Sequence, residues 1–454
     1  MVTEYIFREI ACLAGDDVLP QTLIRIKMNA KALSYSLLVA GLSMGTAWAI
    51  RGQFGHEHGA AWAGGIGALS VLLVAKRADW YARMFQVALA GAVGWGIGGI
   101  MSYGVVVGYG RGTDFVNVYY GLMMLFVIGG LYGFIGGGLF GLALADSSQK
   151  PVRWHQILVE MLAGAVVIYF LFIEQWGWLM TPPRSEMWAA CLGMALALTW
   201  FMYRTEQYSA LRVAVFAGLG GGFGFAFGNF LQVMGNVSGI SFNFWNVMEY
   251  SLGFFGGAGM AYGTFTSSWE PVEDRSPKRG IWFPLLMVAL VIPLVVWEQS
   301  FGLKRVIDKY DKVGAGDDLG LIWSVRLGAL AAVLATGGVW FIRYYWNKTT
   351  EWVRYEYNEV RTFFLVHLGL YTALSLLITG AIISTHRIEQ YLYLVNLVVI
   401  ALLMGRTKPD FSQRGLYAGR WAMGVALVLI FMALITLVAI NSHGELGGMN
   451  RRFE

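Results

Sequence analysis

Apolar runs of about twenty residues recur from residue 33 to residue 440, and each is the length an α-helix needs to cross the hydrocarbon core of a bilayer. Between them the chain carries little charge. Only 13% of its 454 residues are Asp, Glu, Lys or Arg, where a soluble chain carries about 25%. With 57% hydrophobic residues and a mean hydropathy of +0.56, the sequence predicts an all-α, polytopic integral membrane protein. The short alternation that marks a membrane β-barrel is missing. The net charge of +5 sits mainly in loops, so it is no argument for a nucleic-acid partner.

Thirteen spans are expected, at about 33–50, 59–75, 85–108, 117–145, 155–178, 187–203, 210–234, 245–267, 281–300, 320–342, 362–384, 388–404 and 418–440. Placing the N-terminus inside leaves 22 Lys/Arg in the inner segments and 10 in the outer ones, with Arg326 inside a span. That bias follows the positive-inside rule and predicts an outward C-terminus. Compact loops and an opening without a cleavable signal suggest a bacterial inner (cytoplasmic) membrane. Residues Tyr5 to Ala30 read either as an amphipathic surface helix or as an ordinary cytoplasmic lead-in. Cys12 and Cys191 lie far apart, and no disulfide framework is expected.

The chain also echoes itself. Phe115-Val-Asn-Val118 resembles Phe244-Trp-Asn-Val247, and each is followed by a glycine-rich run. Ala90-Gly-Ala-Val-Gly-Trp-Gly96 resembles Ala217-Gly-Leu-Gly-Gly-Gly-Phe-Gly224, and Ile173-Glu-Gln-Trp-Gly177 resembles Trp297-Glu-Gln-Ser-Phe-Gly302. The offsets of 129, 127 and 124 residues suggest a duplication of four-span units, and an even number of spans makes the repeat parallel. The expected organisation is a lead-in (1–32), a first glycine-rich hairpin (33–76), repeat units at 85–203 and 210–342, a peripheral three-helix bundle (362–440) and an outward tail (441–454). The 59 glycines concentrate inside spans, where small-xxx-small spacing lets helix backbones approach closely. They imply a tight core of spans one to four, seven and eight.

Polar side chains gather at the expected outer tips. The first tip, Arg51-Gly-Gln-Phe-Gly-His-Glu-His58, interrupts two Gly/Ala-rich runs, and ionisable groups there are costly unless partnered or wet. The second supplies Tyr103, Arg111, Asp114 and Asn117; the third supplies Asn229, Gln232, Asn236, Asn243, Asn246 and Glu249. Glu174-Gln175 and Glu298-Gln299 occupy equivalent places in the repeat, each before a span that opens near an arginine, Arg184 or Arg326. Two readings stay open for them: structural bridges, or carboxylates lining a cavity that binds a cation, a proton or hydroxyls. His56 and His58, two residues apart, could share a metal only on an extended loop, and loop hydrogen bonding is the simpler reading. Tryptophans such as Trp80, Trp154, Trp282 and Trp352 fit a cytoplasmic interfacial belt.

The sequence has no Walker loop, GxSxG elbow, CxxCH attachment, arginine ladder or TVGYG filter. The leading expectation is a secondary transporter or permease for a small polar or anionic solute, with a cleft opening to the outer face. The alternatives are an outward-facing membrane enzyme acting on a lipid-linked or glycan substrate, and a structural or assembly subunit. The expected substrate-binding residues are Arg51, Gln53, His56, Glu57, Asn117, Glu174, Asn246, Glu249, Glu298 and Arg326, with no catalytic set. No cofactor is expected beyond a coupling Na⁺ or H⁺. The expected partners are membrane lipids and a small-molecule solute, and the oligomeric state is open.

Overall fold

The computed structural model describes residues 19–407, 411 and 418–453; side chains are described from residue 33 onward, apart from those of 418, 420 and 421. The described residues are helical almost throughout. Among the described residues ten helices are long and apolar enough to cross a membrane, so this is a polytopic membrane protein. The expected spans 85–108, 187–203 and 245–267 fall on helices outside that set, Met84–Gly98, Trp188–Arg204 and Phe244–Phe265. The part of the expected surface helix before residue 19 lies outside the described residues. From Leu19 onward the chain is already helical and runs unbroken into the first span.

Six helices organise the rest. They are α1 (Leu19–Arg51), α2 (Glu57–Ala75), α3 (Met84–Gly98), then, after the short α4 (Gly104–Tyr109), α5 (Phe115–Ala145), and further along α8 (Tyr208–Val237) and α9 (Phe244–Phe265). In packing order α1 lies on α2, α2 on α3, α3 on α5, α5 on α8, α8 on α9, and α9 returns to α1. The six close into a ring made of three hairpins: α1–α2, α3–α5 and α8–α9. All three hairpin turns lie at one end, the Arg51 face.

Glycine makes the ring tight. A Cβ on Gly94 of α3 would stand 2.8 Å from the Gly136 Cα of α5, so these two backbones touch. Buried aromatic rings fill the ring axis. Trp95 reaches across it: a Cβ on Gly256 of α9 would stand 2.7 Å from the Trp95 ring, and one on Gly64 of α2 only 2.5 Å from the Trp95 Cβ. Trp48 of α1 meets Trp95 edge-on at 5.0 Å and Tyr132 of α5 at 5.2 Å. Such edge-to-face pairs are favourable beyond the area they bury.

The remaining helices surround this ring. α6 (Trp154–Tyr169, widening into a π-turn, Phe170–Gln175) pairs with α7 (Trp188–Arg204). α10 (Trp282–Ser300, with a π-turn at Met287–Val291) packs on α12 (Leu319–Phe341), and the short α11 (Leu303–Tyr310) lies between them in sequence. α13 (Tyr357–Thr379) and α14 (Ile388–Leu403) cover α1 and α2, and α15 (Ala418–Ser442) lies on α5 and α8. One antiparallel pair of two-residue strands, Ser276–Pro277 with Trp352–Val353, ties two loops at the opposite face. Trp282 and Trp352 are exposed there, as a belt requires, but Trp80 is fully buried against Trp269 at 5.5 Å.

Candidate functional site

α1 ends at Arg51 with no polar spacer, which leaves the guanidinium inside the ring, 1% exposed. Its Nη2 donates to Glu249 Oε2 of α9 at 2.5 Å and to the Tyr103 hydroxyl at 2.8 Å. Tyr103 in turn donates to Glu249 Oε1 at 2.9 Å. Tyr103 is the N-cap residue of α4, so the α3–α5 connection folds inward and lays this ring over the ion pair. Three elements far apart in sequence thus meet in one closed triad. Charge-assisted hydrogen bonds of this kind are strong, and removing either charge strands the other.

Two features open the triad to chemistry. His56 returns over it because Gly55, at φ +94°, turns the chain back in a conformation that disfavours side chains. The His56 ring rests on Tyr103 at 5.2 Å, and Nδ1 lies 3.4 Å from Arg51 Nη1. Part of this ring is open to solvent. Burial of the remainder, together with Arg51, pushes its pKa below the usual histidine value. Beneath the triad, the Arg51 guanidinium covers the Trp48 ring at 4.7 Å. Arg51 Nε, Trp48 Nε1, Trp95 Nε1 and the Tyr132 hydroxyl have no hydrogen-bond partner among the described residues. Buried polar atoms left this way call for a water, an ion or a ligand. Three of the four can only donate.

The other expected residues separate into distinct places. Gln53 is buried at the rim, where its carbonyl accepts from Arg305 at 2.7 Å and its Oε1 from Lys309 at 3.5 Å. Burial and the neighbouring Arg387, Arg305 and Lys312 lower the Lys309 pKa to about 8. Glu57 is exposed and His58 half-buried beside the turn. Asn246 donates to the Tyr393 hydroxyl at 2.6 Å, one turn before Glu249. Asn117 holds the segment after α15. Glu174 and Glu298 are both exposed. The expected bridge to Arg326 does not form. Arg326 instead donates to the Phe301 carbonyl at 2.6 Å and lies over Trp323, while Arg184 is exposed. Glu186, two residues on, accepts from Met180, Thr181 and Trp188 and shapes its own loop.

A polar seam joins the site from α14. Glu389, Tyr393 and Asn396 recur at helical spacing. They accept from Asn243 at 3.1 Å, accept from Asn246 at 2.6 Å, and donate to Thr46 and Tyr250 at 3.1 and 3.2 Å respectively. The seven-residue step from Glu389 to Asn396 rises about 10 Å into the bilayer. The signal was the i, i+4, i+7 spacing of these three polar residues.

Among the described residues no group of three or more His, Cys, Asp or Glu side chains is placed to hold a metal ion. No family model, no curated protein and no solved structure matches this chain, so its function is argued from the geometry alone.

Proposed function

We propose that the protein is a proton-coupled secondary transporter for a small anionic solute, which enters from the Arg51 face. The observation that carries this reading is the Arg51–Glu249 pair, each residue 1% exposed, beside four buried polar atoms without partners. An anion and the Glu249 carboxylate are competitors for one guanidinium. When Glu249 takes up a proton its carboxyl becomes neutral and its hold on Arg51 weakens. The anion then takes the vacated hydrogen bonds, and the two move together as one proton and one negative charge. Tyr103 and His56 shield the triad from the aqueous side.

The basic rim supports an anionic substrate. Arg305 and Lys309 meet Gln53, Lys312 and Arg387 lie close enough to Lys309 to oppose its charge, and Glu389 pairs with Arg387 at 3.4 Å. Like charges gathered at a half-buried position raise the local concentration of anions. The seam on α14 supports passage beyond the triad, since it continues polar contacts inward beside Glu249.

In this reading the ring is crossed in the thirteen-span topology, N-terminus inside and C-terminus outside, in a bacterial inner membrane. The Lys/Arg bias supports an outward Arg51 face. The hairpins α3–α5 and α8–α9, each followed by a peripheral helix pair, are consistent with the parallel repeat.

A thermal-shift screen of the purified protein tests the reading. The probes are monocarboxylates, inorganic phosphate, sulfate, neutral sugars and Na⁺ across pH. The expected result is stabilisation by an anion, stronger at low pH and absent for the sugars. Stabilisation by sugars or Na⁺ alone, indifferent to Arg305→Ala and Lys309→Ala, would remove its basis.

A further inference from the structure

We propose that residues 447–453 are a displaceable latch that holds α4, and with it Tyr103, closed over the triad. The segment after α15 lies across the Arg51 face and meets the α3–α5 connection. The backbone N–H of Asn450 donates to the Gly108 carbonyl at 3.0 Å, and its side chain donates to the Val105 carbonyl at 3.4 Å. Both acceptors are in α4. Arg111, just beyond α4, donates to the Gly447 carbonyl at 3.1 Å.

The far end is gripped by one buried amide. Asn117 Oδ1 accepts the backbone N–H groups of Arg452 and Phe453 at 2.5 and 2.9 Å, and Asn117 Nδ2 donates to the Phe453 carbonyl at 2.9 Å. Arg452 also donates to the Leu179 carbonyl at 3.0 Å, and the Phe453 ring stands edge-on to Tyr120 at 5.2 Å. The groove therefore reads the segment largely through its main chain, with the Phe453 ring resting edge-on against Tyr120.

Two properties make this a latch rather than a fixed wall. The contacts are specific: a Cβ on Gly108 would stand 2.9 Å from Asn450 Cγ, so only a bare backbone admits the segment. Yet almost nothing apolar is buried, for Asn450, Arg451 and Phe453 are exposed. A segment held by polar contacts at a wet surface opens at low free-energy cost. What it holds is the helix whose N-cap residue completes the Arg51–Glu249 triad. Releasing it frees α4 to lift Tyr103 away. As a gate the latch rests on the transport reading; as a conformational device it does not.

Hydrogen exchange by mass spectrometry, on the full chain in nanodiscs, tests it. The release variant carries Asn450→Ala, Arg452→Ala and Phe453→Ala. Amides from Met101 to Gly110 should then exchange at least tenfold faster, while those of α5 and α8 stay unchanged. A synthetic peptide of residues 445–453, added in excess, should restore protection. A second variant, Gly108→Ala, puts a Cβ 2.9 Å from the Gly448 carbonyl and should free the same amides with the segment itself unaltered. Unchanged exchange in α4 despite a detached segment would overturn the latch, as would a uniform rise across the ring, which marks a structural brace. If exchange responds as expected but no anion moves in liposomes, the latch stands and the transport reading fails.

Discussion

Arg51 and Glu249 are 198 residues apart in the chain and 2.5 Å apart in the fold, each closed off from solvent. The pair joins the first hairpin of the ring to the third, and Tyr103 from the second completes it. Each of the three hairpins therefore contributes one member. A triad that bridges all three is well placed to report, or to drive, their relative movement.

Breaking the pair from one side should be expensive. Glu249→Leu leaves a buried guanidinium without its carboxylate, a loss of about 3–5 kcal/mol for such pairs. Arg51→Met combined with Glu249→Leu should recover most of that stability. Thermal unfolding of the single and double variants checks this, and a double variant no more stable than the single would contradict it.

The ring packing makes a sharp distinction between glycines. Gly94→Ala drives a methyl against the Gly136 backbone, and overpacking of this kind costs about 1–3 kcal/mol. Gly338→Ala on α12 meets nothing within 4 Å and should be neutral or slightly stabilising. Comparing their melting temperatures tests the packing without reference to function.

The basic rim should respond to pH through Lys309. Its native pKa is near 8, below the usual lysine value of 10.5, because burial and Arg387, Arg305 and Lys312 oppose its charge. Between those two values the unfolded chain holds a proton that the native protein has shed, so this group's contribution to stability rises with pH across the window. Anion binding has the opposite slope, because it favours the charged amine. Stabilisation by inorganic phosphate should weaken as pH passes 8, and Lys309→Gln should flatten that dependence.

The seam on α14 should matter to passage rather than to folding of the ring. Asn396→Leu removes the donor that links Thr46 and Tyr250 while leaving the triad intact. Anion flux should fall at least tenfold in liposomes with the ligand-induced thermal shift preserved. Loss of both together would make the seam a structural support.

Much of this architecture was readable in advance, for a physical reason. Hydrocarbon demands long apolar helices, so the membrane class follows from local runs of sequence. Arg51 and Glu249 each stand out as ionisable groups in apolar surroundings. Their partnership does not, because nothing local in a helix encodes a contact 198 residues away. The repeated Glu-Gln pairs drew attention by position, yet Glu174 and Glu298 face outward, since a shared place in two similar sequences does not establish a shared environment. The polar stripe of α14 is faint in the sequence because three polar residues in an apolar span barely alter its mean hydropathy.

The most direct test is anion-driven proton movement in proteoliposomes that hold a pH-sensitive dye. A panel of monocarboxylates, phosphate and sulfate is applied outside, with wild type compared against Glu249→Gln. The account predicts that at least one anion acidifies the lumen of wild-type vesicles. It predicts that Glu249→Gln still exchanges that anion across the membrane but no longer carries the proton. Anion flux without acidification, equal in both proteins, would contradict the coupling role of Glu249, and no flux of any anion through folded wild type would contradict the transporter itself.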